Sequence, residues 1–275
     1  MAMKISVVTP SFNQGAFIEE TILSVRNQRY PDCEHIVVDG GSTDGTIEVL
    51  KKYSNVRWIS EPDRGQADAL NKGFKISTGE IIGWLNSDDT YVENALERVA
   101  EFFETRPEVM LTYGYVYVMD AKSRIIRKRY SPDFDFGLLV RTGSCYAQPT
   151  FFFRRRILQD VGYMDSSLPR AMDYEYILRV GKSLRVQKMP VFLGHFRTHP
   201  GSLSHSGVAD ETETRTGRLI QERYCSDLPN KYPGVLYGVR DYSILYWYKL
   251  VGRIMSLPLL FRYSIAKQFD RRRTG

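Results

Sequence analysis

Asn86-Ser87-Asp88-Asp89 follows the apolar run Ile81 to Leu85 without a spacer, so several oxygen-bearing side chains leave the end of one strand together. Hard divalent cations, Mg²⁺ or Mn²⁺, prefer such donors. A cation there would bridge two diphosphate oxygens and neutralise the charge that builds as the diphosphate departs. The same residues would also serve as a polar turn capping a helix near Tyr91 or Glu93. Asp39 closes a second apolar run and precedes Gly40-Gly41-Ser42-Thr43-Asp44-Gly45, where glycines such as Gly41 let backbone approach a ligand. A carboxylate at Asp39 is suited to accept a hydrogen bond from a base or ribose, although the loop is equally suited to open a helix. No GxGxxG follows the first strand, which disfavours a nicotinamide enzyme.

The elements that must position these groups alternate. Lys4 to Thr9 is a β-branched run ending at Pro10. Ala16 to Asn27 places Phe17, Ile18, Ile22 and Val25 at helical spacing. Strands follow at His35 to Val38, Val56 to Ile59 and Ile81 to Leu85. Helices are expected over Thr46 to Tyr53, entered through Thr43 or Asp44 as cap, and over Gln66 to Ile76, with Ala69, Leu70, Gly73 and Phe74 on one side. Four strands separated by helices imply an α/β fold with parallel pairing and right-handed crossovers. Ligands then gather beyond the carboxyl ends of the strands, at Thr9 to Asn13, Asp39 to Asp44, Glu61 to Gly65 and Asn86 to Asp89. A helix around Asn94 to Phe103 precedes an antiparallel hairpin of Leu111 to Val118 and Ile125 to Tyr130, turning at Asp120 to Arg124. Gln148 to Phe153 reads as a further strand and Asp173 to Val180 as a helix.

The 275 residues suffice for one large domain or two fused subdomains. Cys33, Cys145 and Cys225 form no metal or disulfide pattern, which fits a reducing cytoplasm. Met1 to Pro10 lacks the features of a signal peptide. The segment Arg240 to Gly275 carries eight basic residues against two acidic ones and so accounts for the whole net charge of +6. The remaining chain is balanced, which argues against nucleic acid as a partner.

Four stretches in this order, TPSFNQGAFIEETILSVRNQ, VVDGGSTDGT, EPDRGQADALNKGF and TGEIIGWLNSDD, resemble glycosyltransferase family 2, with its GT-A fold. The resemblance is specific from Lys4 to about Asp89 and looser to about Ser204. It implies a mixed, mostly parallel sheet flanked by helices, divided as 1–89 (sugar-nucleotide half), 90–207 (acceptor and catalytic half) and a helical extension, 208–275. It implies that Thr9, Pro10, Ser11 and Asn13 contact the nucleotide and that Asp39 recognises its base. The metal motif falls on Asn86 to Asp89, with Asp88 and Asp89 as ligands and Asp89 first. Asn86 replaces the family's first acid, and Leu70, before Asn71, replaces an arginine. Asp63, Arg64 and Asp68 are nearby candidates for the sugar or diphosphate. The family's inverting base falls on Asp173 in Met172-Asp173-Tyr174-Glu175, with Glu175 second; such a carboxylate must face the acceptor opposite the leaving group. Asp173 would also complement a helix N-terminus. Arg197-Thr198-His199 resembles a late segment in which His199 adds a metal ligand and Arg197 a charge clamp, although a lone histidine is also commonly structural.

The implied reaction moves a sugar from a UDP-, GDP- or dTDP-linked donor to a glycan or lipid-linked glycan. The run Gln148 to Arg156 is suited to line an acceptor pocket, although Phe151 to Phe153 reads mainly as core and Arg154 to Arg156 as solvated surface. Tyr242 to Phe261 is too interrupted to span a membrane. Its aromatic and basic residues suit an anionic membrane surface on the inner face of the plasma membrane, the catalytic domain itself or a homodimer contact. The rivals are a sugar nucleotidyltransferase and a GT-A sugar-nucleotide binder without turnover.

Overall fold

A computed structural model of the chain describes residues 2–143, 146–202 and 211–225. One nine-stranded sheet runs through it in the order β3-β2-β1-β4-β8-β6-β9-β5, with β7 paired to β6. The strands are β1 (Ile5–Ser11), β2 (Cys33–Asp39), β3 (Val56–Ser60), β4 (Ile81–Trp84), β5 (Thr90–Tyr91), β6 (Leu111–Met119), β7 (Ile125–Arg129), β8 (Phe152–Arg154) and β9 (Val186–Arg197). The first four pair in parallel, as their alternation with helices requires. β8 then runs antiparallel to both β4 and β6, and β9 runs parallel to β6.

β1 is buried along its whole length because the sheet is covered on both faces. Helix α1 (Ile18–Arg26) presses Ile18, Thr21, Ile22 and Val25 onto one face, and its first-turn Glu19 and Glu20 and last-turn Arg26 suit the helix dipole. Helix α3 (Gln66–Ile76) lies on the other face. A Cβ at Gly73 would stand 2.3 Å from Val8 Cγ1, so the bare glycine sets how closely α3 approaches β1. α2 (Thr46–Leu50) and α4 (Ala95–Glu104) complete the first half, and α5 (Phe136–Thr142), α6 (Ile157–Asp160), α7 (Met172–Ser183) and α8 (Glu211–Cys225) follow.

The expected parallel strands, α1, α3, α4 and the β6–β7 hairpin are all present, the hairpin carrying a bulge at Val118/Met119. Three expectations are corrected. Gln148 to Phe153 is split: Gln148–Thr150 forms a 3₁₀ turn around Pro149, and only Phe152–Arg154 enters the sheet. Neither Thr43 nor Asp44 holds the cap position of α2. Gly45 does, in the left-handed region at φ 95°, while Asp44 Oδ1 accepts the N–H of Thr46 from one residue earlier. No helix begins at Tyr91 or Glu93; Thr90–Tyr91 pairs with β9 instead, and the next helix starts at Ala95. Cys145, Leu203, Ser204 and the 240–275 tail lie outside the described residues. Among the described residues no helix is long and apolar enough to cross a membrane.

Candidate active site

β1 and β2 end side by side at Ser11 and Asp39, so their loops leave the sheet together. Asp39 is fully buried. Its Oδ2 accepts the N–H groups of Gly41 (3.0 Å) and Ser42 (2.9 Å) and the hydroxyl of Ser60 (2.7 Å), while Oδ1 accepts the Ser42 hydroxyl. Three of the four donors fall on Oδ2, which leaves Oδ1 one further accepting position. Asp39 therefore shapes the loop, and Oδ1 is the oxygen with room for a further donor. Asn13, at φ 53°, stitches the two loops together: its N–H donates to Ser42 Oγ and its Oδ1 accepts the N–H of Thr43. Thr9 turns its hydroxyl to His35 Nε2 (2.9 Å) inside the core, and Pro10 is buried, so neither side chain reaches a nucleotide as expected. Ser11 Oγ is buried without a hydrogen-bond partner among the described residues.

What these loops present outward is Phe12, 59% exposed immediately after β1. A Cβ at Gly40 would lie 2.7 Å from Asp63 Oδ2 and 3.3 Å from the Phe12 ring, so the missing side chain lets a carboxylate and an aromatic face meet there. Phe12 is absent from the sequence-derived candidates. A large aromatic placed just beyond the last buried strand residue was the available signal. Asp63 Oδ1 accepts the N–H of Gly65 (2.8 Å). Arg64, 77% exposed, pairs with Asp68 at 3.1 Å, which holds the Asp68 carboxyl below its ordinary range. Asn71 does not face a donor: its amide donates to the Met164 carbonyl and accepts the Met164 N–H, both at 2.9 Å, pinning α3 to the loop before α7.

At the end of β4, Asn86 is an amide by necessity. Its Oδ1 accepts from Gln66 Nε2 (2.7 Å) and Trp84 Nε1 (2.9 Å), and its Nδ2 donates to Gln148 Oε1 (2.8 Å). Gln148 Nε2 in turn donates to the Trp84 carbonyl (3.0 Å). A carboxylate could fill only the accepting half of that network. Ser87 is buried, and its carbonyl and that of Asp89 share the Thr21 hydroxyl at 2.9 and 2.8 Å, tying the motif to α1.

The two aspartates differ. Asp89 is buried; its Oδ1 accepts the backbone N–H of Arg197 (2.8 Å) and its Oδ2 is buried without a partner among the described residues. Burial first, and then the charge of Asp88, pushes its carboxyl well above the ordinary range. Asp88 keeps part of its carboxylate accessible and meets His199 Nε2 at 3.2 Å. His199 packs on the Phe17 ring at 4.4 Å between centroids. The geometry thus brings together Asp88 and His199 rather than ranking Asp89 first. Among the described residues no group of three His, Cys, Asp or Glu converges on one point. A cation here would take two protein donors and fill its shell from diphosphate and water, which is how Mg²⁺ commonly binds.

Arg197 is corrected from diphosphate clamp to internal brace, because its side chain has no exposure at all. It donates to the Asp88 carbonyl (Nε, 2.7 Å), to the Asp120 carbonyl and Ser123 Oγ (Nη1, 3.3 and 2.8 Å) and to Glu20 (Nη2), and it lies 5.0 Å from the Phe17 centroid.

Asp173 stands in the first turn of α7, which follows Ala171 in the left-handed region at φ 55°. Burial pushes its carboxyl above the ordinary range, while backbone N–H groups at the helix start and the charge of Arg129 pull the other way. Arg129 and Arg197 flank the same strand, opposite Val116 and Met119 of β6. Glu175 is corrected: it is buried, its carboxylate held by Arg179 (2.9 Å) and the Tyr224 hydroxyl (2.8 Å), and it locks α7 to α8 rather than facing an acceptor.

This architecture and its relatives define the class. The family model for glycosyl transferase family 2 matches residues 6–162, and the chain belongs to that family. It is a glycosyltransferase with relatives in polysaccharide biosynthesis. An uncharacterized glycosyltransferase of Mycobacterium tuberculosis is 31% identical over 251 residues, covering 89% of this chain and 90% of its own. A PGL/p-HBAD biosynthesis glycosyltransferase of Mycobacterium bovis is 29% identical, covering 92% and 94%. The solved structure of S. aureus TarS with UDP-GlcNAc shares the fold at a TM-score of 0.63 and 19% identity, covering 99% of this chain and 90% of that one. A mannosyltransferase of Pyrobaculum calidifontis, solved with GDP-Man and Mn²⁺, does so at 0.57 and 17%, covering 98% and 84%.

Proposed function

We propose that the chain is an inverting, metal-assisted transferase that moves a sugar from a nucleoside-diphosphate donor to a hydroxyl of a glycan or lipid-linked glycan. The observation that carries this reading is the Asp88–His199 pair at the carboxyl end of the parallel strands, with a separate half-buried carboxylate, Asp173, at the start of α7. Asp88 and His199 would hold Mg²⁺ or Mn²⁺, which supplies neutralisation of the charge gathering on the leaving diphosphate. Phe12 offers a flat face for the base, with Asp63 beside it to accept a hydrogen bond. Asp173 takes the proton of the acceptor hydroxyl as that oxygen bonds to C1 and the bond from C1 to the diphosphate breaks. The structures with UDP-GlcNAc and with GDP-Man and Mn²⁺ support a donor and a cation of this kind.

A screen of UDP-, GDP- and dTDP-sugars, read as nucleoside diphosphate released with Mn²⁺ and lost in chelator, tests the reading. Release with one donor is expected. Donor binding by calorimetry without release from any donor and a range of acceptors would instead mark a binding protein.

A further inference from the structure

The β6–β7 hairpin carries a feature that sugar transfer itself leaves unused. Ile125 and Ile126 are 55% and 56% exposed, side by side on β7. Ile126 is the extra residue where the register shifts opposite Val118/Met119, so the regular alternation of faces is broken there, and the described residues cover neither isoleucine. From Ala121 to Tyr130 the chain has five cations, Lys122, Arg124, Arg127, Lys128 and Arg129, and no acid. Arg124 is paired with Asp120, and Arg129 reaches the Tyr146 carbonyl and lies near Asp173. Lys122, Arg127 and Lys128 form no ion pair among the described residues, and Lys128 lies over the Tyr117 and Phe192 rings at 5.8 and 5.7 Å.

The hairpin is also fixed to the site. Ser123 Oγ donates to Glu20 and accepts from Arg197, whose Nε holds the Asp88 carbonyl. A surface touching the tip therefore lies beside the candidate cation seat.

We propose that this hairpin docks on an anionic lipid surface, the two isoleucines entering the headgroup boundary and Lys122, Arg127 and Lys128 meeting anionic headgroups. Two large apolar side chains projecting without a surrounding pocket match the hydrocarbon edge of a bilayer, and a rim of cations supplies the second attraction that interfacial binding needs. A soluble anionic glycan would satisfy the cations alone. The inference extends the lipid-linked acceptor reading by setting the membrane next to the site, but its test reads binding rather than turnover.

Flotation of the full chain with phosphatidylcholine vesicles, with and without phosphatidylglycerol, provides that test. Wild type should float only with the anionic vesicles and be released by high salt. The double variant Ile125→Ser/Ile126→Ser and the charge reversal Lys122→Glu/Arg127→Glu should each weaken binding by at least about tenfold with the rest of the chain intact. Ile126→Trp should show a blue-shifted emission with anionic vesicles only, a readout independent of the other variants' folding. Release of nucleoside diphosphate with a water-soluble acceptor should be unchanged in the double serine variant. Wild-type flotation in both double variants, no flotation of wild type, or binding of a soluble anionic polysaccharide in place of vesicles would each overturn the proposal.

Discussion

The guanidinium Nε of Arg197 donates to the backbone carbonyl of Asp88 at 2.7 Å, from a side chain with no solvent exposure. A cation at the end of β9 thereby fixes the loop that carries the site's aspartates, while its own N–H holds Asp89. Its other partners bring in α1 through Glu20 and the hairpin turn through Asp120 and Ser123.

Replacing Arg197 by Met keeps bulk but strands four acceptors. A loss of about 3 kcal/mol is expected, at the low end for a broken buried pair because Glu20 is half exposed. Arg197→Lys should recover little of it, since a single ammonium cannot span the same acceptors. Denaturant unfolding of both variants checks this. A lysine variant as stable as wild type would remove the brace.

Asn86→Asp tests the amide network. The new carboxylate could no longer donate to Gln148 and would add a charge beside Asp88 and Asp89. Thermal unfolding should show a loss of about 1–3 kcal/mol. A stabilised variant would mean that Gln148 reorients without cost.

Asp173 gives a pH prediction. A base works deprotonated, and burial raises this carboxyl, so the acid limb of the rate profile should begin at a higher pH than for an ordinary aspartate. Asp173→Asn should stay folded and lose turnover by about a hundredfold or more. An acid limb unchanged in the asparagine variant's residual activity would assign the titration to another group.

His35 gives a stability prediction. Complete burial, against Thr9, pushes its pKa down from 6.5 to about 4. Between those values the unfolded chain binds the proton and the folded chain does not, so this contribution is full above pH 6.5 and declines as pH falls to about 4. The linkage amounts to about 3 kcal/mol at most. Unfolding free energies measured across that range should flatten in His35→Gln, and an unchanged slope would show that other groups carry it.

Much of the first half was legible because its signals are local. Buried parallel strands read as short, mainly β-branched and apolar runs, and α1 and α3 show clean helical spacing. β9 left no comparable signal: its twelve residues mix Gln187, Lys188, Pro190 and His195 among apolar ones, and only pairing with β6 and β5 makes them a strand. Side-chain commitments were the least legible part. Asn71, Arg197 and Glu175 are of types that serve ligands, but each side chain is used up by a partner 93, 109 or 49 positions away, Met164, Asp88 and Tyr224. The division of labour between Asp88 and Asp89 likewise depends on which of them reaches a histidine 111 residues further on.

Mn²⁺ uptake tests the central claim most directly. With the nucleoside diphosphate picked out by the donor screen present, the free-Mn²⁺ signal in electron paramagnetic resonance should fall for wild type and equally for Asp173→Asn. Asp88→Ala and His199→Ala should each need at least about ten times more protein for the same fall, the scale of a lost cation ligand. Wild-type uptake by Asp88→Ala would show that the cation, if held at all, sits elsewhere.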